Sequence, residues 1–235
     1  MTTIDSSQTS RLAPATLRSK SRIFLVDDHA MFREGLRQLI DREPDFLVSG
    51  DAADLEEALK SIADAPPDLV ITDISMSGGA SGIDLVKTLK SRYPELPVLV
   101  VSMHEETLYA ERALRAGAMG YVMKQEPAKV VKTAIRKVLG GDIHLSEKMA
   151  AAMLGKLVHE RSDEKSVSPI ENLSNRELEV FRLLGEGKAS RDIAQQLDLS
   201  IATINSFRNR IKEKLNLKNS TELILHAIHW VRENS

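Results

Sequence analysis

Apolar runs and amphipathic stretches alternate along the first two thirds of the chain. Each of the five short apolar runs is typical of a strand buried on both faces: residues 23–26, 46–48, 69–72, 98–101 and 120–123. Each is followed by a segment with apolar residues at helical spacing, as Met31, Leu36 and Ile40 show after the first run. Because crossovers between parallel strands are nearly always right-handed, this alternation predicts an α/β domain with a five-stranded, parallel, doubly wound sheet.

The last part of the chain is patterned for helices only. Ser174 and Glu177 match a capping box, which predicts a helix that ends at the glycines of residues 185–187. A short helix at about 191–197 follows, and Ser200 is the predicted N-cap of a longer, more basic helix reaching about residue 215. Two helices joined by a tight turn form a helix-turn-helix, and a final helix is predicted at about 221–231.

These patterns divide the chain into four parts. Residues 1–20 are rich in Ser and Thr without sustained periodicity, which predicts a disordered leader, with a transit peptide as the alternative. The α/β domain takes residues 21–141 and ends at a Gly-Gly pair. Residues 142–171 form a linker that includes a helix at about 146–160 and a polar stretch at 161–169. The all-helical domain takes residues 172–235.

Composition and charge narrow the function classes. The chain has 42% hydrophobic residues but no apolar run long enough for a membrane span, and its lack of cysteine excludes disulfides and thiolate chemistry. We therefore expect a cytoplasmic protein without a membrane partner. From residue 172 onward there are 10 Lys and Arg and 8 Asp and Glu. The residues before it contain 22 Lys and Arg and 26 Asp and Glu. A basic small domain behind an acidic larger one favours a polyanionic partner for the helical domain.

Polar residues follow the predicted strands: Asp27 and Asp28 after the first, Asp73 after the third, Ser102 after the fourth and Lys124 after the fifth. Because carboxyl ends of parallel strands meet at one edge, we expect these side chains to lie together. Three carboxylates there would raise one another's pKa unless a divalent cation lay among them, and oxygen ligands suit Mg2+. With a lysine and a hydroxyl to hold phosphoryl oxygens, the set predicts carboxylate attack on phosphorus and an aspartyl phosphate.

These residues and the helix-turn-helix together resemble a flavodoxin-like response-regulator receiver domain joined to a LuxR-type helix-turn-helix, as in the NarL/FixJ family of two-component systems. The resemblance covers about residues 22–232 and includes the strings at 173–180, 193–194 and 203–215. It implies DNA binding switched by a partner histidine kinase. The implied roles are a phosphoacceptor at Asp73, a Mg2+ site formed by Asp73 with Asp28 as a direct and Asp27 as an indirect ligand, a switch pair at Ser102 and Tyr121, and a phosphate-binding lysine at Lys124.

The chain departs from the family pattern near the phosphoacceptor. Ser77 stands where many receivers have proline, and the loop to Gly82 is one residue longer than usual. A receiver that binds DNA without phosphorylation therefore stays open as an alternative. A phosphatase that passes through an aspartyl phosphate is a second alternative, but it would need a carboxylate two residues after the nucleophile, where this chain has Ser75. Gln125 follows Lys124, as non-proline residues do in NarL-like members.

The helix from Ser200 places apolar residues on one side and polar residues on the other. Between Ser200 and Lys218 there are five Lys and Arg and one acidic residue. In a helix-turn-helix this face would enter a groove of double-stranded DNA, with base contacts from Asn205, Ser206 and Asn209 and phosphate contacts from Arg208, Lys212 and Lys214.

The resemblance also implies homodimers on paired half-sites. The final helix offers Leu223, Leu225, Ile228 and Trp230 as a partner surface, although Trp230 could instead close the small core. We interpret three histidines as structural. His29 is expected to pack at a helix start. His226 and His229 are not expected to bind a metal, because no further ligand lies nearby in the sequence.

Overall fold

The structure is a computed structural model that describes residues 20–76, 81–159 and 169–234. Most of the predicted leader and the polar stretch 161–168 lie outside the described residues, as do residues 77–80 of the loop after Asp73. The described chain consists of an α/β part followed by a group of helices.

The α/β part is a parallel sheet with strand order β2-β1-β3-β4-β5, which confirms the predicted fold class. The strands are β1 (Ser21–Val26), β2 (Phe46–Ala52), β3 (Leu69–Thr72), β4 (Val98–Ser102) and β5 (Gly120–Met123). The helices that alternate with them are α1 (Ala30–Asp41), α2 (Leu55–Asp64), α3 (Gly82–Arg92), α4 (Glu106–Ala116) and α5 (Ala128–Leu139).

Both faces of the sheet are buried, as continuous apolar strands require. In β3, Val70 points into one hydrophobic cluster, whereas Leu69 and Ile71 point into the other. Because successive side chains of a strand alternate between faces, the same three residues supply both cores, and every residue of β3 is buried. Packing on both faces therefore holds β3 in place along its whole length, and Asp73 follows its last residue directly.

Two local predictions were wrong. Strand β2 extends four residues beyond the predicted end, to Ala52, although the added stretch contains Gly50 and Asp51. A Cβ on Gly50 would lie 2.7 Å from the Phe24 ring, so the glycine leaves room for that ring. Met31 was predicted to lie on the apolar side of α1 but is 91% exposed, whereas Phe32 packs partly against the core.

The segment after α5 runs along the outer edge of the sheet. The His144 amide donates to the carbonyl of Met119 at 3.0 Å, and the Tyr121 amide donates to the carbonyl of His144 at 3.0 Å. Helix α6 (Glu147–His159) follows, in agreement with the predicted linker helix. The residue before this helix is tied to α4, because Glu106 accepts a hydrogen bond from the Ser146 amide at 2.9 Å.

The C-terminal part is all helical, as predicted. A 3-10 turn, Pro169–Asn172, precedes α7 (Asn175–Gly185), α8 (Ser190–Gln196), α9 (Ile201–Lys214) and α10 (Ser220–Asn234). The predicted capping box is present at the start of α7. Gly185 allows α10 to approach α7 closely, since a Cβ there would lie 2.4 Å from the Ala227 carbonyl oxygen.

Among the described residues, no helix combines the length and the apolar character needed to cross a membrane.

Candidate phosphoacceptor site and nucleic-acid interface

The structure brings the charged residues from the strand ends together. The Lys124 ammonium lies 2.6 Å from a carboxylate oxygen of Asp27 and 2.7 Å from one of Asp73. The other Asp73 oxygen accepts hydrogen bonds from the Ser102 hydroxyl and from the Ile74 amide, both at 2.6 Å. Since these residues follow separate strands, their convergence is a product of the parallel sheet.

The site is an acidic cluster of the kind that could hold a metal ion. Asp27, Asp28, His29 and Asp73 each offer one ligand atom, and these atoms lie within 4.8 Å of one another. Asp27 and Asp73 are buried, so water screens their mutual repulsion poorly. Three carboxylates and an imidazole at this spacing fit a small divalent cation, and the oxygens suit a hard ion.

Burial raises the pKa of the Asp27 carboxyl above its ordinary value. Lys124 acts in the opposite direction through its hydrogen bond and charge, while the neighbouring charge of Asp73 raises the pKa further. The carboxylates therefore need a compensating cation, and Lys124 supplies one positive charge for two of them. Its ammonium also lies 4.4 Å from the centre of the Phe32 ring, which fixes its position on the α1 side.

Ser102 and Tyr121 meet one short segment between β4 and α4. Ser102 is fully buried and Tyr121 is almost so. The Tyr121 hydroxyl donates to the His104 carbonyl at 2.7 Å, and the His104 amide approaches the Ser102 hydroxyl oxygen at 3.4 Å. A displacement of Ser102 would therefore be felt at His104 and at the Tyr121 ring.

The chain folds back on itself after Asp73. Residues 75 and 81 form an antiparallel bridge, and the Gly82 amide donates to the Ile74 carbonyl at 2.7 Å. A Cβ on Gly82 would lie only 1.6 Å from the Asp73 carbonyl oxygen. The close backbone contact beside Asp73 thus requires glycine at position 82. The departure at Ser77 lies outside the described residues.

The predicted DNA face lies on α9, and its central polar residues are open to solvent. Asn205, Ser206 and Asn209 are exposed, whereas Ile204 and Ile211 on the opposite side are fully buried. The basic residues differ in their partners. Arg208 donates to the Ser190 hydroxyl at 2.6 Å. Lys214 lies 2.7 Å from a carboxylate oxygen of Glu177, and Lys212 is half-buried.

The final helix separates into an inner and an outer side. Leu223 is fully buried within the helical domain, so its predicted place on a partner surface was wrong; it contributes to the core because α10 turns that side toward α7. Leu225 is 61% exposed and remains available. Trp230 is half-buried and packs against the Phe181 ring with centroids 5.6 Å apart.

Comparison with known proteins agrees with this geometry. Residues 23–136 match the response regulator receiver domain, and residues 171–227 match the LuxR family of bacterial regulatory proteins. The oxygen regulatory protein NreC of Staphylococcus haemolyticus is 33% identical over 88% of this chain and 96% of its own length. RcsB from Salmonella enterica serovar Typhimurium, bound to a promoter in the presence of the phosphomimetic BeF3-, is 26% identical, covers 89% of this chain and 100% of its own, and has a TM-score of 0.54. RcsB in a structure of two RcsB dimers bound to two parallel DNAs is 25% identical to this chain. The match covers 88% of this chain and 97% of the RcsB chain, with a TM-score of 0.54.

The chain belongs to the NarL/FixJ family of response regulators. This response regulator is therefore a two-component DNA-binding transcription regulator and not an enzyme.

His29 both stands at the start of α1 and contacts the acidic cluster. It is the N-cap residue of α1, as its interpretation as a helix-start residue requires. Its amide donates to an Asp27 oxygen at 2.9 Å, but its ring also lies 2.8 Å from an Asp28 oxygen. At the other end of the chain, His229 pairs with Glu233 at 3.2 Å on an exposed face, and the His226 ring lies tilted beside the Phe181 ring with centroids 6.0 Å apart. The described residues show no metal cluster there.

Sequence reasoning missed two groups of residues in this response regulator. Arg33 donates to the Asp27 carbonyl oxygen and, at 2.9 Å, to Asp51 of β2, which braces the first acidic loop. No sequence motif marks that arrangement. The second group joins the two domains through Ser75, His104 and Glu179. Ser75 argues against a phosphatase in the sequence, but nothing in the sequence pattern indicates that it contacts Glu179.

Proposed function

We propose that Asp73 accepts a phosphoryl group from a partner histidine kinase in the cytoplasm, with Mg2+ as the metal, and that this switches DNA binding and transcription. The observation that carries the proposal is the pair of oxygens on Asp73, one beside the Lys124 ammonium and the other accepting from Ser102. A carboxylate held between a cation and a hydroxyl is placed to bond phosphorus while its neighbours bind the phosphoryl oxygens.

The transfer is a substitution at phosphorus. A carboxylate oxygen of Asp73 forms the new P–O bond, the P–N bond to the kinase histidine breaks, and the leaving imidazole takes its electron pair and is then protonated. Lys124 lies within reach of both Asp27 and Asp73, so its ammonium would remain beside the phosphoryl oxygens. Burial strengthens this attraction, because the local dielectric is lower than in water.

Asp27, Asp28 and Asp73 would hold Mg2+, with carboxylate oxygens as the ligands. When bound, the ion would supply charge neutralisation for the acidic cluster and for the phosphoryl oxygens. The fit rests on the spacing of the ligand atoms and on their carboxylate chemistry; burial raises the pKa of Asp27, so a nearby cation would favour its ionised form.

A phosphoryl group brings about two negative charges and three acceptor oxygens to a site where Ser102 already donates to Asp73. Ser102 would turn toward a phosphoryl oxygen, and Tyr121 would follow, since both contact His104. The result is a shift between two arrangements of the β4–α4 segment, not a gradual deformation.

On DNA, we assign base-edge contacts to Asn205, Ser206 and Asn209 because they are exposed on α9. Arg208, Lys212 and Lys214 are assigned to phosphates; Arg208 and Lys214 would exchange Ser190 and Glu177 for phosphate oxygens. The protein would act as a homodimer on double-stranded DNA, with the exposed outer side of α10 as the partner surface. The RcsB dimers on DNA support this assembly.

The domain assignment that goes with this function is a receiver at 21–141, a linker with α6 at 142–171 and the DNA-binding domain at 172–235. It is supported by the extents of the two family matches.

The phosphoacceptor is tested with acetyl phosphate and Mg2+. The wild-type protein should be labelled, and Asp73→Asn should not, because the amide is not a nucleophile for phosphorus. Asp84→Asn is the matched control, since Asp84 lies on α3 with 54% of its side chain exposed. Equal labelling of wild type and Asp73→Asn would refute the site. Equal DNA affinity with and without phosphorylation would instead favour a constitutive regulator.

A further inference from the structure

The first half of α9 presents two side-chain amides and one aliphatic side chain to solvent. Asn205 and Asn209 are exposed, and neither side-chain amide hydrogen-bonds to another residue that the structure describes. Ile201, the first residue of the helix, is 49% exposed. Ile204 and Ile211 are fully buried and hold another side of α9 against the core of the helical domain. We call Ile201, Asn205 and Asn209 the reading stripe.

The spacing of the reading stripe suits the major groove of DNA. Its members are four residues apart, and four residues of an α-helix advance about 6 Å and turn by about 40°, so the three side chains follow one another along one side. The major groove admits an α-helix, and base pairs stack about 3.4 Å apart. Successive members of the stripe therefore lie about two base pairs apart along the groove.

The hydroxyl groups near the start of α9 are engaged within the helix. The Ser200 hydroxyl oxygen accepts from the Thr203 amide at 3.0 Å and lies 2.8 Å from the Thr203 hydroxyl. The Ser206 hydroxyl donates to the Ala202 carbonyl at 3.0 Å. Ser206 can thus accept from a base amino group, but adenine and cytosine both present one in the major groove. Discrimination between base pairs therefore depends on the reading stripe.

Charged groups that would read a G·C pair are absent from this part of α9. Guanine is read by Arg or Lys, and cytosine by Asp or Glu. Residues 201–209 contain no acidic residue and one basic residue, Arg208, which is half-buried and donates to the Ser190 hydroxyl of α8 at 2.6 Å. Arg210 is exposed, but it follows Asn205 by five residues and so lies about 140° around the helix.

We propose that the reading stripe selects A·T base pairs in the major groove of the half-site. The amides of Asn205 and Asn209 each donate to N7 of an adenine and accept from its N6 amino group, while Ile201 packs against the methyl group of a thymine. The inference rests on the proposed function, because it names the class of DNA sequence that the same helix binds. Basic residues outside the stripe supply the phosphate attraction, which carries no sequence information.

The first test is selection from random-sequence duplexes by the full-length protein with acetyl phosphate and Mg2+. The enriched half-site should contain A·T pairs at positions about two base pairs apart. Asn205→Ala should lose the preference at one of these positions and Asn209→Ala at the other. Gln38→Ala is the matched control, because Gln38 is an exposed amide on α1 of the receiver, and it should enrich the wild-type half-site.

The second test removes single atoms from the DNA. Replacement of each adenine in turn by 7-deazaadenine, which lacks N7, should weaken wild-type binding about five-fold at the contacted base and cause no further loss in Asn205→Ala. Replacement of the contacted thymine by deoxyuridine, which lacks the methyl group, should weaken wild-type binding about four-fold and leave Ile201→Ala unaffected. Leu154→Ala, at a 63% exposed position of α6, should behave as wild type.

The outcomes separate the reading stripe from the function on which it rests. A G·C half-site, equal affinity for all duplexes, or base-analogue losses that persist in full in Asn205→Ala and Ile201→Ala would overturn the reading stripe and leave DNA binding intact. A wild-type protein that binds no duplex would overturn the proposed function itself. All three substituted positions are exposed, and far-UV circular dichroism of each variant checks that the helical domain is folded.

Discussion

Replacement of Gly82 by alanine should damage the site around Asp73 far more than the size of one methyl group suggests. The added Cβ would lie 1.6 Å from the Asp73 carbonyl oxygen, whereas real Cβ contacts are essentially never under 3.0 Å. The neighbour is backbone and cannot swing aside, and the hydrogen bond from the Gly82 amide to the Ile74 carbonyl holds the two strands of the loop together. The Asp73 peptide must therefore move by more than 1 Å.

The expected magnitudes follow from that displacement. Insertion of a group into a packed site costs about 1–3 kcal/mol. With a urea slope of about 2 kcal/mol/M, a loss of 2 kcal/mol lowers the unfolding midpoint by about 1 M. A misplacement of about 1 Å also lowers the rate of a positioned reaction by about 100-fold. Gly82→Ala should therefore unfold earlier and lose nearly all labelling by acetyl phosphate.

The matched control is the same substitution in the same domain. Gly35 lies on the exposed side of α1, and a Cβ there would meet nothing within 4 Å. Because glycine weakens helix interiors, Gly35→Ala should stabilise the receiver by about 0.5–1 kcal/mol and leave labelling unchanged. Urea unfolding is followed by far-UV circular dichroism, and Trp230, the single tryptophan, reports the helical domain separately. A Gly82→Ala variant with wild-type stability and labelling would refute this account of the loop.

Two further predictions concern the helical domain. Lys212→Ala should weaken DNA binding across sequences and lower the slope of log affinity against log salt concentration by about 1. Lys129→Ala, at an exposed position of the receiver, should leave that slope unchanged. An unchanged slope in Lys212→Ala would remove Lys212 from the phosphate contacts. Burial raises the pKa of Glu177, but hydrogen bonds from Lys214 and the Ser174 amide outweigh burial and lower the pKa below its ordinary value. The ionised carboxylate therefore stabilises the folded domain at pH values above that ordinary value, and this stabilisation is lost as the pH falls through the lowered pKa. Glu177→Gln should therefore be less stable than wild type at pH 7 by about 1 kcal/mol, and the difference, followed by Trp230 fluorescence in urea, should vanish in acid; a constant difference would contradict the ionised cap.

The sequence predicted the sheet because its strands are buried on both faces. The apolar runs 69–71 in β3 and 98–101 in β4 are uninterrupted, and Asp73 and Ser102 of the site lie within two residues of where these runs end. Strand β2 was underestimated because its last four residues are stabilised by tertiary contacts: Gly50 accommodates Phe24, and Asp51 pairs with Arg33. Such contacts join distant parts of the chain, so no local pattern reveals them.

The same limit applies to the candidate site. Its charged residues were predictable because each follows a strand, and parallel strand ends share an edge. The contacts among Ser75, His104 and Glu179 were not predictable, because they depend on how two separately folded parts meet. Glu179 looks like an ordinary helical glutamate in the sequence, and only its contacts with Ser75 and His104 distinguish it.

The strand-like segment at His144 covers an edge of the sheet with which other chains could associate. It occupies the Tyr121 amide and the Met119 carbonyl on the outer side of β5, where an unpaired edge could pair with a second molecule. The chain thus covers one edge of its own sheet with residues that follow the last receiver helix. A shortened receiver that ends at Gly141 would expose that edge beside Tyr121, and its self-association would result from the truncation and not from phosphorylation.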